Sequence, residues 1–170
     1  MLLDESPNPD LESGEELLFD LGAAIDDDHD LQAHTVLIGN IGLVLPKHEI
    51  SELIERPSVC RLPNTLPWFD GVISVRGSMI PVFDLHELFA IERPAGKRRL
   101  VVVGQNETAA AFWVDDFPQL LVLRDEDGTT TEPPLPSLIR EHARSFYLKH
   151  EQAWVEWEAK AFFTALGEKL

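Results

Sequence analysis

The side chains that most often carry chemistry are few in this sequence, and they form no recognised catalytic or metal-binding pattern. The single cysteine, Cys60, leaves no thiolate pair for zinc, and we expect it to be a small, half-buried residue beside a strand. The acidic run Asp26–Asp30 lacks the glycine and the closing glutamate of a calcium loop. No two of the six histidines have the spacing of H-E-x-x-H or of a similar ligand pair. The histidines are His29, His34, His48, His86, His142 and His150.

One pair of neighbouring carboxylates remains a candidate for acid–base work. Asp115 and Asp116 follow the apolar run Thr108–Val114, and paired carboxylates can transfer protons. They also stand where a strand is expected to end, a position at which aspartate commonly supports a turn. An enzyme that uses these two residues is therefore an alternative hypothesis, and it requires a cleft around them. The main prediction is that the chain is not an enzyme and has no catalytic, cofactor-binding or metal-binding residue.

Composition and charge indicate a globular protein that does not bind nucleic acid. Hydrophobic residues make up 44% and charged residues 26% of the 170 positions, which is ordinary for a globular domain. The formal net charge of −16 would repel phosphate backbones. The sequence shows no secretory signal and no apolar run long enough to cross a membrane, and its one cysteine suits a reducing compartment. We therefore expect a cytoplasmic protein without direct membrane insertion.

The negative charge is concentrated in the first 34 residues, which hold eleven Asp and Glu and no Lys or Arg. We divide the chain into an acidic N-terminal arm, residues 1–34, and a domain, residues 35–170. Two interpretations of the arm are open: a solvated, disordered segment that aids solubility, or an arm that binds a partner. The second is supported by a capping box at Ser13 and Glu16, where leucines recur at near-helical spacing over Glu15–Ile25. So short a helix is marginal without a surface to dock on.

The domain is organised around the stretch Leu62–Leu88, which predicts a loop, two strands and the start of a helix. Prolines in its opening residues fit neither a sheet ladder nor a helix interior. The runs Val72–Val75 and Met79–Phe83 predict a hairpin, with Gly77 at a turn position that needs a positive φ. Asp84 is placed to cap a short helix, because a glutamate follows three residues later.

Elsewhere short apolar runs alternate with turns, which indicates an all-β sandwich or barrel with a few short helices. A helical segment is predicted over Lys47–Glu55, where Ile50, Leu53 and Ile54 would share a face. A C-terminal helix is predicted over Ala159–Leu166. The remaining expected elements are a hairpin over Thr35–Leu45, strands over Leu100–Gly104, Thr108–Val114 and Gln119–Leu123, a short helix within Leu138–Ser145, and two strands around Lys149–Gln152.

Within the central stretch, the segment GVISVRGSMIPVFDL closely resembles the signature of the CheW-like domain, the adaptor that couples bacterial chemoreceptors to a histidine kinase. The family pattern places G-x-x-x-[hydrophobic]-R-G before a strand that ends in P-[hydrophobic]-x-D-L. The resemblance extends from about Thr35 to Leu166 and implies two five-stranded, SH3-like β-barrel lobes side by side. The matching residues are Gly71, Arg76, Gly77, Pro81, Asp84 and Leu85.

Arg76 is the first candidate for a partner contact, because an arginine in an apolar hairpin must either reach solvent or be paired. Comparison with the family pattern puts Glu52 at a position where an acid is common, on the helical segment predicted before the loop. We therefore predict a salt bridge between Glu52 and Arg76. A structural role that fixes the hairpin and a role at a partner surface are both open.

The resemblance implies that this face forms part of a groove between the lobes, which accepts the tip of a helical receptor hairpin. It also implies contacts with the regulatory domain of a CheA-type histidine kinase, through sheet edges near Val114–Leu123. The predicted partner-binding residues are Ile50, Glu52, Val72, Ile73, Val75, Arg76 and Gly77.

The function expected from the resemblance is a non-enzymatic adaptor without cofactors, recruited to membrane receptor arrays in chemotaxis or twitching motility. The segment FYLKHEQAWVEWEA departs from the general family pattern. It looks like the branch that serves type IV pilus chemosensory systems. The alternative function is a CheW-like interaction module outside a kinase pathway, bound to polar-localisation or pilus machinery.

Overall fold

The computed structural model describes residues 30–45 and 50–170, and most of the regular structure in these residues is short β-strand. The predicted class, mostly β with a few short helices, is confirmed. The acidic arm up to His29, with the helix predicted over Glu15–Ile25, lies outside the described residues, and the first strand begins at Leu31. None of the helices in the described part of the chain is long and apolar enough to cross a membrane.

A six-stranded sheet is built from both ends of the described chain. Its strands are β1 (Leu31–Ile38), β2 (Ile41–Val44), β8 (Gln119–Leu123), β9 (Gly128–Thr129), β10 (Ala143–Lys149) and β11 (Gln152–Trp157). They lie in the order β8–β1–β2–β11–β10–β9. The pair β2–β11 is parallel and joins the start of the chain to its end, while the other neighbours are antiparallel.

A five-stranded sheet is formed by the continuous middle of the chain. Its strands are β3 (Ile50–Ile54), β4 (Phe69–Val75), β5 (Ser78–Phe83), β6 (Arg99–Val103) and β7 (Ala110–Val114), in the order β3–β6–β7–β5–β4. The two sheets are consistent with the two lobes expected from the resemblance. Five strands were expected in each lobe, and the first sheet has six because the two-residue β9 adds to the edge of β10.

Three short α-helices accompany the strands in the described residues. They are α1 (Leu85–Phe89), α2 (Ser137–Arg140) and α3 (Ala159–Gly167). The helix predicted over Ala159–Leu166 is confirmed as α3, and α1 begins after Asp84, as its capping pattern predicted. The Asp84 carboxylate accepts a hydrogen bond from the backbone N–H of Glu87 at 3.1 Å.

The segment predicted as helical over Lys47–Glu55 is a strand where the structure describes it. Ile50–Ile54 forms β3 and pairs antiparallel with β6, with Leu53 opposite Val101. Five residues are too few for apolar spacing to distinguish a helix from a strand. β3 pairs with the edge of β6 that β7 leaves free, and this tertiary contact decides the conformation of Ile50–Ile54.

The hairpin of β4 and β5 closes through a two-residue turn in which both residues have a positive φ. Arg76 has φ +49° and Gly77 has φ +83°, which is the type I′ geometry that matches the twist of the flanking strands. The positive φ predicted at Gly77 is confirmed. A positive φ is uncommon for a residue other than glycine, so Arg76 is an unusual occupant of this turn.

Cys60 is exposed, contrary to the half-buried position expected from the sequence. Its backbone forms a two-bond bridge with Val72, beside β4. Because side chains alternate along an extended backbone, its neighbour Val59 packs on the core while Cys60 points to solvent. Gly71 is required beside this bridge, since a Cβ there would overlap the Cys60 carbonyl oxygen.

The largest apolar cluster lies where the two sheets and α3 meet. It contains Leu43 and Val155 from the six-stranded sheet, Phe83 and Phe112 from the five-stranded sheet, and Phe162 from α3. Two smaller clusters belong mainly to one sheet each. One surrounds Ile80 and Leu100, and the other surrounds Val44, Leu123 and Trp154.

Phe163 of α3 joins the two sheets through aromatic contacts. Its ring centroid lies 5.3 Å from that of Phe83 and 5.4 Å from that of Phe112, and it is 5.8 Å from that of Trp157. The Phe163 side chain is 5% exposed. Its removal would therefore leave a cavity that neither sheet can fill by itself.

We expect Phe163→Ala to lower the free energy of unfolding by about 3–5 kcal/mol, because a buried aromatic ring is lost and a cavity remains. Urea unfolding followed by tryptophan fluorescence measures this change. Thr164→Ala, at the next and exposed position of the same helix, is the control and should change stability by less than about 0.5 kcal/mol. Equal effects of the two substitutions would mean that α3 does not hold the sheets together.

Candidate partner-binding site

The predicted salt bridge between Glu52 and Arg76 is present. Arg76 Nη1 lies 2.7 Å from Glu52 Oε1, although Glu52 is on β3 rather than on the predicted helix. The Arg76 side chain is 77% exposed and that of Glu52 is 37% exposed. An ion pair as exposed as this one contributes only about 0–1 kcal/mol to stability. Its position on the surface therefore suits recognition better than folding.

We expect Arg76→Ala to change the free energy of unfolding by less than about 1 kcal/mol, because the pair is exposed and screened by solvent. Chemical denaturation measures this change. Gly77→Ala provides the contrast in the same turn, and the strain of a side chain at φ +83° should cost about 1–2 kcal/mol. A loss of several kcal/mol in Arg76→Ala would show that the arginine is structural.

A polar cleft surrounds this ion pair. It has a volume of about 500 Å³ and is open to solvent. Its walls come from three places in the five-stranded sheet: β3, the turn between β4 and β5, and the turn after β6. The residues that define the polar cleft here are Glu52, Val75, Arg76, Ser78, Gln105 and Asn106.

A second, apolar groove lies where the two sheets meet. It has a volume of about 310 Å³. We call it the apolar groove, and define it by His34, Leu45, Glu52, Leu53, Val101, Phe117 and Pro118. The Phe117 side chain is 44% exposed, and Leu120, which pairs with His34 in the sheet register, is 54% exposed. Exposed apolar side chains beside a groove between sheets are typical of a docking surface.

The seven predicted partner-binding residues do not all reach the surface. Glu52, Val75 and Arg76 line the polar cleft, and Gly77 is exposed in the adjacent turn. Ile73 is 5% exposed and packs inside the five-stranded sheet, so it supports the hairpin rather than facing a partner. The other two are Val72, which is partly buried against the central cluster, and Ile50, which lies in β3.

Glu52 is the one predicted site residue that also lines the apolar groove. Leu53 was not among the predicted partner-binding residues, and Phe117 and Pro118 were covered only by the region Val114–Leu123 that was predicted for kinase contacts. An aromatic residue and a proline between two apolar runs were the available signal, since neither strand needs them. Their position at the apolar groove follows from the tertiary structure, in which β7 and β8 belong to different sheets.

Asp84 is the centre of a buried polar network. Its carboxylate is 1% exposed and pairs with Arg93 at 2.7 Å and with Arg98 at 3.1 Å. The Arg98 guanidinium also lies over the ring of Trp113, at 4.6 Å from the centroid. Trp113 in turn donates from Nε1 to Asp70 at 2.9 Å. These contacts satisfy a buried charge that would otherwise be costly.

We expect Asp84→Asn to destabilise the fold by about 3 kcal/mol, because Arg98 would keep its charge at a nearly buried position without its partner. Asp116→Asn is the matched control, since Asp116 is 70% exposed and lies 3.9 Å from Arg99. Urea denaturation of both variants measures the difference. If the two substitutions had the same effect, the Asp84 network would have no special role in stability.

The aspartates considered for acid–base work have separate surroundings. The Asp115 carboxylate accepts a hydrogen bond from the Gly39 N–H at 2.9 Å and pairs with His86 Nε2, whereas Asp116 projects into solvent. Neither aspartate lines the polar cleft or the apolar groove. The geometry therefore supports an anchoring role for Asp115. It does not support the hypothesis that the two carboxylates act together in acid–base chemistry.

Comparison with known proteins identifies the fold as one already seen in a protein family. A family model described as the CheW-like domain matches residues 32–144. The chain belongs to the CheW-like domain family. The resemblance found in the segment from Gly71 to Leu85 is thereby confirmed.

Two curated relatives are similar over most of the domain. Protein PilI of Pseudomonas aeruginosa is 27% identical over 126 residues, which is 73% of this chain and 70% of that protein. The chemotaxis protein CheW of Helicobacter pylori is 26% identical over 104 residues, covering 60% of this chain and 63% of that protein. A solved structure, the scaffolding protein TtCheW of Thermoanaerobacter tengcongensis, matches with a TM-score of 0.65 at 19% identity. That match covers 82% of this chain and 96% of the solved one.

Proposed function

We propose that this chain is a non-enzymatic adaptor that couples chemoreceptors to a CheA-type histidine kinase. Its family and its relatives, one a chemotaxis protein and one a PilI, support a role in chemosensory signalling. The observation that carries the proposal is the apolar groove between the two sheets. An adaptor requires two separate binding surfaces on a body stiff enough to couple them.

The apolar groove is the proposed site for the receptor. Its floor is formed by Leu45 and Val101, which are nearly buried, and its open side by the exposed ring of Phe117. Glu52 and His34 add polar groups at this otherwise apolar surface. An amphipathic helix can place apolar residues in such a groove and polar residues at its rim. The tip of a helical receptor hairpin fits this description.

The polar cleft extends the receptor surface. Glu52 lines both the apolar groove and the polar cleft, so the two adjoin at this residue. The Glu52–Arg76 pair is exposed and contributes little to folding, which leaves both side chains available to a partner. In this proposal Val75, Arg76 and Gly77 contact the partner from the hairpin turn, and Glu52 contacts it from β3.

The free edge of β8 is the proposed site for the kinase regulatory domain. In the described residues β8 is the terminal strand of the six-stranded sheet and pairs only with β1. An edge strand presents unpaired backbone groups that a strand of another protein can extend. Phe117 and Pro118 line the apolar groove and β8 begins at the next residue, so one body carries both proposed sites.

The branch that serves type IV pilus systems is the proposed context. The PilI relative is consistent with it, and the aromatic-rich segment that suggested it forms β10 and β11. Trp154 and Trp157 of β11 are buried, so these tryptophans support the sheet. We therefore base the choice of branch on the relative and not on an exposed aromatic surface.

We expect the full chain to bind both a two-helix peptide of a co-encoded receptor tip and the regulatory domain of a co-encoded kinase, as measured by calorimetry. Phe117→Ala should weaken receptor-tip binding at least about tenfold, because an anchor in the groove is lost. Leu148→Ala is the control, since Leu148 is also 54% exposed but lies on β10, away from the groove. A folded chain that binds neither partner would instead indicate an interaction module outside a kinase pathway.

A further inference from the structure

We propose that Asp115 is the positioning residue of the apolar groove, and that it acts by fixing the segment that carries Phe117 and Pro118. This inference rests on the proposed function of the groove as a receptor site. Asp115 directly follows β7 of the five-stranded sheet, and β8 of the six-stranded sheet begins only four residues later. The chain crosses from one sheet to the other in this short segment.

Asp115 is bonded to the six-stranded sheet by two hydrogen bonds. Its backbone N–H donates to the Leu37 carbonyl at 3.0 Å, and its carboxylate accepts from the Gly39 N–H at 2.9 Å. Gly39 has φ +62°, and a Cβ at this position would collide with Ile91. The turn between β1 and β2 therefore packs directly against the segment that follows α1, and Asp115 is bonded to the same turn.

Asp115 is bonded to α1 through His86. The other carboxylate oxygen pairs with His86 Nε2, and the His86 side chain is fully buried. On the far side of the ring, His86 Nδ1 lies 3.8 Å from the Asp84 carboxylate, which Arg93 and Arg98 neutralise. Asp115 thus joins the buried network around Asp84 to the turn of the other sheet.

The groove wall is fixed at both of its ends. Asp115 holds the first end, and at the second end the Thr35 hydroxyl donates to the Gln119 carbonyl at 3.1 Å. Between them stand only residues 116–118, in which Pro118 has a restricted φ. The Phe117 ring is further held by the Arg99 guanidinium, 3.6 Å from its centroid. Loss of the first anchor should let Phe117 leave the position that shapes the groove.

The neighbouring Asp116 provides a matched control. It carries the same charge one residue away, but it is 70% exposed and its nearest cation, Arg99, is 3.9 Å distant. Its carboxylate accepts only a local hydrogen bond, from the Phe117 N–H at 2.8 Å. A loss of negative charge near the groove would affect both aspartates alike, whereas only the Asp115 carboxylate is bonded to Gly39 and His86.

The test compares Asp115→Ala, Asp115→Asn and Asp116→Ala in the full chain, each with and without Phe117→Ala. Binding of the receptor-tip peptide is measured by calorimetry, and amide hydrogen exchange at Gly39 and Phe117 is measured by NMR. We expect Asp115→Ala to weaken binding about tenfold and to speed exchange at both amides. Asp115→Asn, which keeps one acceptor, should have a smaller effect, and Asp116→Ala should change binding less than about twofold.

The double variant decides whether Asp115 acts through Phe117. If it does, Asp115→Ala should cause no further loss of binding once Phe117 is alanine, because the two effects are not additive. Two results would overturn the inference: losses of binding affinity that multiply in the double variant, or an unchanged exchange rate of the Gly39 amide in Asp115→Ala. If Asp115→Ala fails to fold, the same double-mutant cycle with Phe117→Ala is measured with Asp115→Asn instead, and its result decides the question. Phe117→Ala without any effect on binding would instead refute the receptor site, while the exchange rates still test the anchor.

Discussion

Both sheets and α3 pack into one apolar cluster, which holds the domain together. The six-stranded sheet contains both ends of the described chain, and the five-stranded sheet lies between them in sequence. The rings of Phe112, Trp157 and Phe163 meet where these parts converge. Burial of this apolar area stabilises the contact between the sheets, but it does not closely fix their relative orientation, because the hydrophobic effect is non-directional. The indole N–H of Trp157 stays satisfied inside the cluster by donating to Val44.

The relative orientation of the two sheets is set by the buried polar contacts at the edge of this cluster. Leu85 of the family signature is fully buried in the cluster, and its neighbour Asp84 is at the centre of the ion-pair network. A hydrogen bond to a buried charge is satisfied only in a narrow range of geometries, so such contacts specify one arrangement among many compact ones. The Asp84 and Asp115 contacts therefore complement the apolar cluster. Burial in the cluster holds the sheets together, and the polar groups set their relative position.

The surfaces proposed for partners are consequences of that arrangement. The apolar groove is lined by Leu45, which follows β2 of the six-stranded sheet, and by Val101 of the five-stranded sheet. The exposed Glu52–Arg76 pair borders the same region, and its low value for stability leaves it free to serve recognition. A rigid body that carries both a groove and an edge strand suits a protein that transmits a change in one partner to a second.

Features that depend on near neighbours could be predicted from the amino-acid sequence. The hairpin turn at Gly77, the cap at Asp84, the C-terminal helix and the family signature were all predicted, because turn geometry and helix capping act over a few residues. The Glu52–Arg76 pair was predicted through the family resemblance. The folded arrangement was needed to show that Ile50–Ile54 is a strand, that Ile73 is buried and that Phe117 lines a groove. These features depend on which distant segment lies alongside, and local spacing carries no information about that partner.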